Sequence, residues 1–409
     1  MWLFITLLFV FILIYVQKRH FHMGFYTPFN LISVPTLFLM ILSYPQENLI
    51  GFRSVSQDAV FVFLYCIFFF AIGGFMFFLL KREKHNIENF KPFGRRNIPV
   101  TFVHIVTLFF ILVMFLNLNS ILGSRSLFLL EDQEFAQHGI EGHIGELIIF
   151  SIMFYFASLK EKLLNVSRSY AICILVILFS FKILMAVKAQ AVIPFIACLL
   201  YFLLRKYVTL YNLKYIVYSF VGVLLLFSAT RLFFNEDDAS WAYMINYITF
   251  YVFAGISGLT VFLEENPNAN IGGCPEFLIR FFQNFYNKFM GDGTIQKGGD
   301  IGGYVEVFTD KAEFFHSSNV QMFFGEVFLN AGYFITALYF CTLGFVCYYI
   351  YWYHTKHMFL TILYAYVGAI LVMSFFSSYA LGQGFYEMST LCVLLYLIFR
   401  NYSRKIIYK

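Results

Sequence analysis

The sequence predicts an all-α, polytopic integral membrane protein, and three observations carry that prediction. First, 60% of the 409 residues are hydrophobic, only 12% are charged, and the mean hydropathy is +0.74. A soluble domain carries about 25% charged residues. Second, apolar runs long enough to cross a bilayer, about 20 residues each, recur along the whole chain. Third, lysines and arginines gather in alternate connections between those runs, the pattern expected of cytoplasmic loops. The 57 Phe and 29 Tyr are the residues that face lipid and headgroups and imply no cofactor.

Taken in order, the expected spans are 1–16, 29–45, 59–80, 99–118, 144–159, 168–187, 189–204, 214–234, 243–263, 331–353, 358–380 and 385–400. The first, MWLFITLLFVFILIYV, lacks a basic region ahead of it and a small-residue cleavage site, and its charges, Lys18 and Arg19, follow it. It reads as an anchor with the N-terminus outside, and not as a signal peptide. The third span is followed by Lys81, Arg82, Lys84, Lys91, Arg95 and Arg96. The fifth is followed by Lys160, Lys162 and Arg168, and the seventh by Arg205, Lys206 and Lys214. These loops are therefore assigned to the cytoplasm. The first, fifth, seventh and last spans are short and need interfacial flanks.

Segment 243–263 decides the rest of the topology. If it crosses, the basic tail with Arg400, Arg404, Lys405 and Lys409 ends up outside. If it makes no net crossing, the tail is inside, as the charge rule requires. Its Asn246, Thr249, Gly255, Ser257 and Gly258 also suit a buried or kinked element. The expectation is thus about 11 crossing helices in one membrane domain over 1–409, with 243–263 re-entrant or interfacial and the C-terminus cytoplasmic. Loop 264–318 is the large external loop, and nearly all carboxylates fall outside; only Glu83, Glu88 and Glu161 are clearly inside.

Against this background the misplaced charges are informative. Arg53, Arg125, Lys188 and Arg231 break the charge rule, each at the external end of a span. Arginine binds phosphate bidentately and lysine binds it as a point charge. Several around one pocket would hold a diphosphate and stabilise it as a leaving group. For any one of them, headgroup contact or a local ion pair, such as Arg231 with Glu236 or Asp237, is the plainer role. Lys188 joins two spans with almost no loop, and Lys182, six residues earlier, is placed to snorkel.

In the external loop, FLIRFFQNFYNKFMG (277–291) reads as an amphipathic helix on the bilayer. The glycine-rich GDGTIQKGGDIGGYVEVF that follows matches no phosphate-binding motif and reads as a mobile loop or a plain linker. Asp292 and Asp300 are too far apart to argue for a metal. Six of the seven cysteines lie in apolar segments and only Cys274 in a loop, and there is no CxxC, so no metal or redox cofactor is expected. His316 near the outer face is a candidate general base for a sugar hydroxyl. Glu326 is the other. A carboxylate inside an apolar run is expensive and faces a protein interior or a watery cavity, where it serves either chemistry or an interhelical hydrogen bond.

The segment SSNVQMFFGEVFLNAGYFITALYFCTLGF resembles the C-terminal signature of the Wzy-type O-antigen and capsular polysaccharide repeat-unit polymerases. The matching residues are Asn319, Phe323, Phe324, Gly325, Glu326 and Gly332. INYITFYVFAGISGL looks like the segment that precedes the large external loop in that family, and VKAQAVIPFIACLLYFLLRK looks like its "GSR…LL" segment, with Lys188 where an arginine is usual. Arg280 and Gly291 fit an Arg-x10-Gly spacing of some members' external loops. The resemblance implies a metal-independent glycosyltransferase in the bacterial inner membrane, related in scaffold to the O-antigen ligases. Its substrate would be an undecaprenyl-diphosphate-linked glycan. His316 and Glu326 would then be catalytic, and Arg53, Arg125, Lys188, Arg231, Arg280 and Asn319 would bind diphosphate or glycan. The bilayer and a chain-length regulator are the partners this implies, and nucleic acid is not one. A lipid-linked oligosaccharide flippase and an O-antigen-ligase-like or acyl transferase remain the alternative readings; two similar halves, usual in transporters, are not visible here.

Overall fold

The computed structural model describes residues 1–21, 23–81, 100–118, 140–161, 166–185, 189–206, 241–266, 271–279, 282–283, 286–287, 305–307, 317–318 and 321–407. The expected span 214–234 lies outside the described residues, as does most of the large loop.

The described residues contain eleven α-helices: α1 (Trp2–His20), α2 (Pro28–Leu49), α3 (Gln57–Leu80), α4 (Val100–Leu116), α5 (Ile140–Glu161), α6 (Arg168–Met185), α7 (Ala189–Leu204), α8 (Trp241–Glu265), α9 (Met322–Tyr353), α10 (Met358–Val372) and α11 (Gln383–Ile407). The only strands among them are β1 (Val305–Glu306) and β2 (Ser317–Ser318), paired antiparallel. Among the described residues, five helical stretches are long and apolar enough to cross a membrane: Trp2–His20, Pro28–Leu49, Gln57–Leu80, Met322–Lys356 and Met358–Phe375. Shorter apolar helices join them. The chain is thus a helical, multi-pass membrane protein.

The helices fall into two compact units. Unit 1 comprises Met1–Asn86, Thr230–Tyr351 and Ile370–Gln383; unit 2 comprises Ile87–Ala229, Trp352–Ala369 and Gly384–Lys409.

In unit 1 the helix starts are capped as sequence chemistry dictates. The Thr27 hydroxyl accepts from Asn30 N–H at 3.3 Å with Pro28 in the first turn, and the Ser56 hydroxyl accepts from Ala59 N–H at 3.2 Å. Hydroxyls within α2 turn back on their own helix, Ser33 donating to the Phe29 carbonyl at 2.6 Å and Thr36 to that of Ile32 at 3.1 Å. Hydrocarbon offers no other partner. Helices α3 and α9 approach backbone to backbone through glycines. A methyl on Gly73 would fall 1.8 Å from the Cys341 carbonyl oxygen, and one on Gly344 would fall 2.1 Å from that of Phe70. Small residues at such crossings let helices gain van der Waals contact where the hydrophobic effect offers nothing.

Helix α9 is broken. Gly332 has φ 69° and ψ −179°, so the stretch up to Ala331 is a short helix of its own. Its final carbonyls are met by the chain that follows α8: Gly272 N–H donates to Leu329 O at 2.8 Å and Cys274 N–H to Asn330 O at 3.0 Å. Carbonyls at the end of a helix have no partner within it, so the loop supplies one. The break falls one residue after the start expected for span 331–353.

Helix α8 covers the segment expected to be re-entrant or interfacial. It is one continuous 25-residue helix that does not turn back within its bounds. Residues 253–262 are buried throughout, as expected of an element packed inside protein. Of the residues read as suiting a buried or kinked element, Gly255, Ser257 and Gly258 are buried, and Gly255 packs against the main chain at Phe375. In the loop expected to be external, Pro275–Ile279 is a 3-10 turn, which takes in the start of the expected amphipathic helix 277–291. Residues 280–281, 284–285 and 288–300 lie outside the described residues.

Unit 2 is organised around α5, which packs against α4, α6 and α7. Ile148, Phe150, Ile152, Phe154 and Tyr155 are all buried, so the helix is enclosed on more than one face. Thr107 of α4 donates to the Ser151 hydroxyl at 2.9 Å, and Phe156 stacks on Phe202 of α7 at 4.4 Å between ring centroids.

Candidate functional site: a carboxylate where two helices are broken

Glu326 sits in the short first segment of α9, and the chain around it explains why a carboxylate is tolerated. Its Oε1 accepts from the Ser377 hydroxyl at 3.2 Å and its Oε2 from the Ser378 hydroxyl. The main chain at Ser378 and Gln321 adds further hydrogen bonds to the same carboxylate. Its own carbonyl accepts from the Asn330 side-chain amide at 2.7 Å. Every oxygen of Glu326 therefore has a donor, which desolvation requires.

The serines are available because the chain is not helical there. After α10 the chain runs through a 3-10 turn, Met373–Phe375, and Tyr379–Leu381 forms a second one before α11. Ser377 and Ser378 fall between the two turns. Irregular backbone at membrane depth is tolerated where it is buried in protein or lines a cavity. The unit thus brings together two interruptions, one in α9 and one after α10, with the carboxylate between them.

Helix α8 holds both pieces. A methyl on Gly255 would lie 2.5 Å from the Phe375 carbonyl oxygen, and one on Gly325 would lie 2.6 Å from Leu259 Cδ1. The same helix fixes Arg53. Ser257 donates to the Arg53 carbonyl at 2.8 Å, Ser56 N–H donates to the Thr260 hydroxyl at 3.1 Å, and Arg53 N–H donates to the Val307 carbonyl, just past β1, at 3.0 Å. The guanidinium lies 3.4 Å from Glu264, with the two side chains 39% and 48% exposed. So long and exposed an ion pair is worth little, and the guanidinium has five N–H donors.

Of the residues given a catalytic or substrate-binding role from sequence, only Glu326 and Arg53 lie in described parts of the chain, both in unit 1. His316, Arg125, Lys188, Arg231, Arg280 and Asn319 lie outside the described residues. Sequence reasoning passed over Ser377 and Ser378. The available signal was a polar pair in SFFSSYALGQG, an apolar span that stops early. Among the described residues no three His, Cys, Asp or Glu side chains are grouped to hold a metal ion.

Unit 2 contains a second ionic cluster. Lys182 is 1% exposed and does not snorkel; its Nζ donates to the Gly145 carbonyl at 3.0 Å and to Glu146 Oε1 at 3.3 Å. A carboxylate close by on α5 is a nearer partner than the membrane surface.

A family model described as "Family of unknown function (DUF6337)" matches residues 51–405. No curated protein and no solved structure matches the chain.

Proposed function

The chain belongs to that family of unknown function, and we propose that it polymerises oligosaccharide repeat units carried on undecaprenyl diphosphate, at the outer face of a bacterial inner membrane. The observation that carries the reading is the Glu326 carboxylate, fixed by Ser377 and Ser378 at a double break in the helices. A group so held is positioned before substrate arrives, and preorganisation of this kind is what general-base and electrostatic catalysis need. Its position within the stretch that resembles the Wzy-type polymerases gives it a chemical role.

In this reading Glu326 accepts the proton of a sugar hydroxyl on the incoming lipid-linked repeat unit. That oxygen attacks the anomeric carbon of the growing glycan and the carbon–oxygen bond to its diphosphate breaks. The undecaprenyl diphosphate leaves as an anion, with Arg53, Arg125, Lys188, Arg231 and Arg280 as the cations available to it. Asn319 orients the glycan and His316 is the alternative base. The reading includes the topology drawn from the charge pattern: about 11 crossings, an external loop 264–318 and a cytoplasmic C-terminus. A transport reading, such as a lipid-linked oligosaccharide flippase, gains support from the interrupted helices and from the buried Lys182–Glu146 pair, since intramembrane charges also mark transport pathways.

Deletion of the gene tests the class. Single repeat units on the lipid carrier, without long polymer, are expected. Loss of all surface repeat units would establish the flippase reading instead, and intact polymer left on the carrier would establish a ligase. Glu326→Gln keeps the shape but leaves one acceptor oxygen where there were two, and is expected to abolish polymer at normal protein level. Wild-type polymer from both Glu326→Gln and Glu326→Ala would remove Glu326 from the mechanism.

A further inference from the structure

We propose that Ser378 is the residue that meets the acceptor sugar, taking the proton of its hydroxyl and handing its own to Glu326. The inference rests on the polymerase reading of this site and names the group that touches the substrate there.

It starts from the lone pairs of the Glu326 carboxylate. An ionised carboxylate offers about four acceptor positions on its two oxygens. Four donors are already directed at Glu326: the Ser377 hydroxyl to Oε1 at 3.2 Å, the Ser378 hydroxyl to Oε2, and the main-chain N–H groups of Ser378 and Gln321. A sugar hydroxyl reaches the carboxylate directly only by displacing one of them, and a donor displaced at a buried site is left unpaired. The route that displaces nothing runs through one of the donors. A main-chain amide cannot pass a proton on, but a hydroxyl donates one and accepts on two lone pairs. Among the described residues nothing donates to the Oγ of Ser377 or Ser378, so each can accept from a sugar hydroxyl while donating to Glu326.

Exposure points to the same place. Ser377, Ser378 and Tyr379 are half-buried, between buried Phe376 and Ala380. Glu326, itself half-buried, stands in a helix segment whose residues 322–325 and 327–330 are all buried. The serine turn is therefore the open edge of the site. Of the two serines, Ser377 reaches the carboxylate through its hydroxyl alone, whereas Ser378 reaches it through hydroxyl and main-chain N–H. Ser378 thus stays fixed on Glu326 while its hydroxyl exchanges protons, and Ser377 is the clamp on the other oxygen.

The step balances. The sugar O–H bond breaks and its proton joins Ser378 Oγ, as the serine's own proton passes to Glu326 Oε2. The freed sugar oxygen bonds to the anomeric carbon of the growing glycan. The bond from that carbon to the diphosphate oxygen breaks, and its electron pair leaves with the diphosphate. Ser378 ends as it began, Glu326 has gained one proton and the carrier one negative charge.

The test uses full-length protein in lipid nanodiscs and, as substrate, the repeat-unit lipid extracted from the deletion strain. In Ser378→Ala that elutes and melts like the wild type, kcat for polymer is expected to fall about 100-fold or more, the scale of proton-transfer catalysis, with KM little changed. Ser378→Asn, which keeps a donor for Glu326 but cannot pass a proton, should fall as far and serves if the alanine variant does not fold. Ser378→Thr, which keeps the hydroxyl, should recover most of the rate. Ser377→Ala removes an equal contact from the same carboxylate and is expected to lose less than about tenfold, the scale of one hydrogen bond. Equal losses in Ser377→Ala and Ser378→Ala would overturn the relay and leave both serines as supports for Glu326. So would wild-type rates in Ser378→Ala or Ser378→Asn. No polymer from the wild type on this lipid, or no such lipid in the deletion strain, would instead remove the polymerase reading and the relay with it.

Discussion

Gly272 and Gly332 meet face to face. A methyl on the first would lie 3.0 Å from the Cα of the second, and the reverse distance is 3.2 Å. Both have positive φ, 89° and 69°. The chain that follows α8 is thereby pinned over the break in α9, six residues beyond Glu326. Gly332→Ala meets both a left-handed backbone and a crowded neighbour. It is expected to cost about 1–2 kcal/mol and to lower the melting temperature in detergent by several degrees. A melt indistinguishable from wild type would show that the contact is not needed to hold the break.

The α3–α9 crossing makes a sharper prediction because its obstacles are backbone atoms. Gly73→Ala places a methyl on the Cys341 carbonyl and cannot be relieved by a side-chain movement. It is expected to destabilise by about 2 kcal/mol or more, at the upper end for overpacking, and to reduce folded yield. Gly24→Ala has nothing within 4 Å and is the control, expected to melt like the wild type. Equal yields from the two variants would contradict the close crossing.

Lys182→Met leaves Glu146 in place without its cation. Removing one partner of a buried pair costs roughly 3–5 kcal/mol, whereas replacing both is often close to neutral. The double variant Lys182→Met with Glu146→Gln is therefore expected to recover most of the lost thermal stability. Non-additivity in a double-mutant cycle is the measurement, and simple additivity would mean that the pair is not coupled.

His357 links α9 to α10 outside the spanning stretches. Its Nδ1 accepts from Phe359 N–H at 3.3 Å, and burial pushes its pKa down to about 4. The folded state thus binds a proton less readily than the unfolded chain, whose imidazole titrates near 6.5. Stability from the neutral ring is complete above about pH 6.5 and is lost as the pH falls from there toward 4. Melting temperature measured against pH should decline over that window. His357→Asn, which keeps a cap acceptor but does not titrate, should flatten the decline.

Much of the architecture was legible from residue type alone. Apolar runs near 20 residues predicted helices where α1 to α7 stand, because a chain in hydrocarbon has few ways to satisfy its backbone. The span expected from residue 331, one residue before the break at Gly332, and the suspicion attached to Glu326 came from the same reasoning. Other features were out of reach. The partners of Glu326 are 51 and 52 residues away in sequence, and those joining His143 to Glu387 span 244. No periodicity encodes such distances.

By itself, then, the sequence determined that the protein is helical, lies in a membrane and carries charges that need partners, because composition and span length are local quantities set by the solvent around each segment. Only the tertiary structure decided which partners those charges take. It placed Ser377 and Ser378 on Glu326, closed Gly384 against Glu146 and buried Lys182 instead of letting it reach the surface. Each of these outcomes depends on how closely two backbones approach, and that is fixed by packing between helices far apart in the chain.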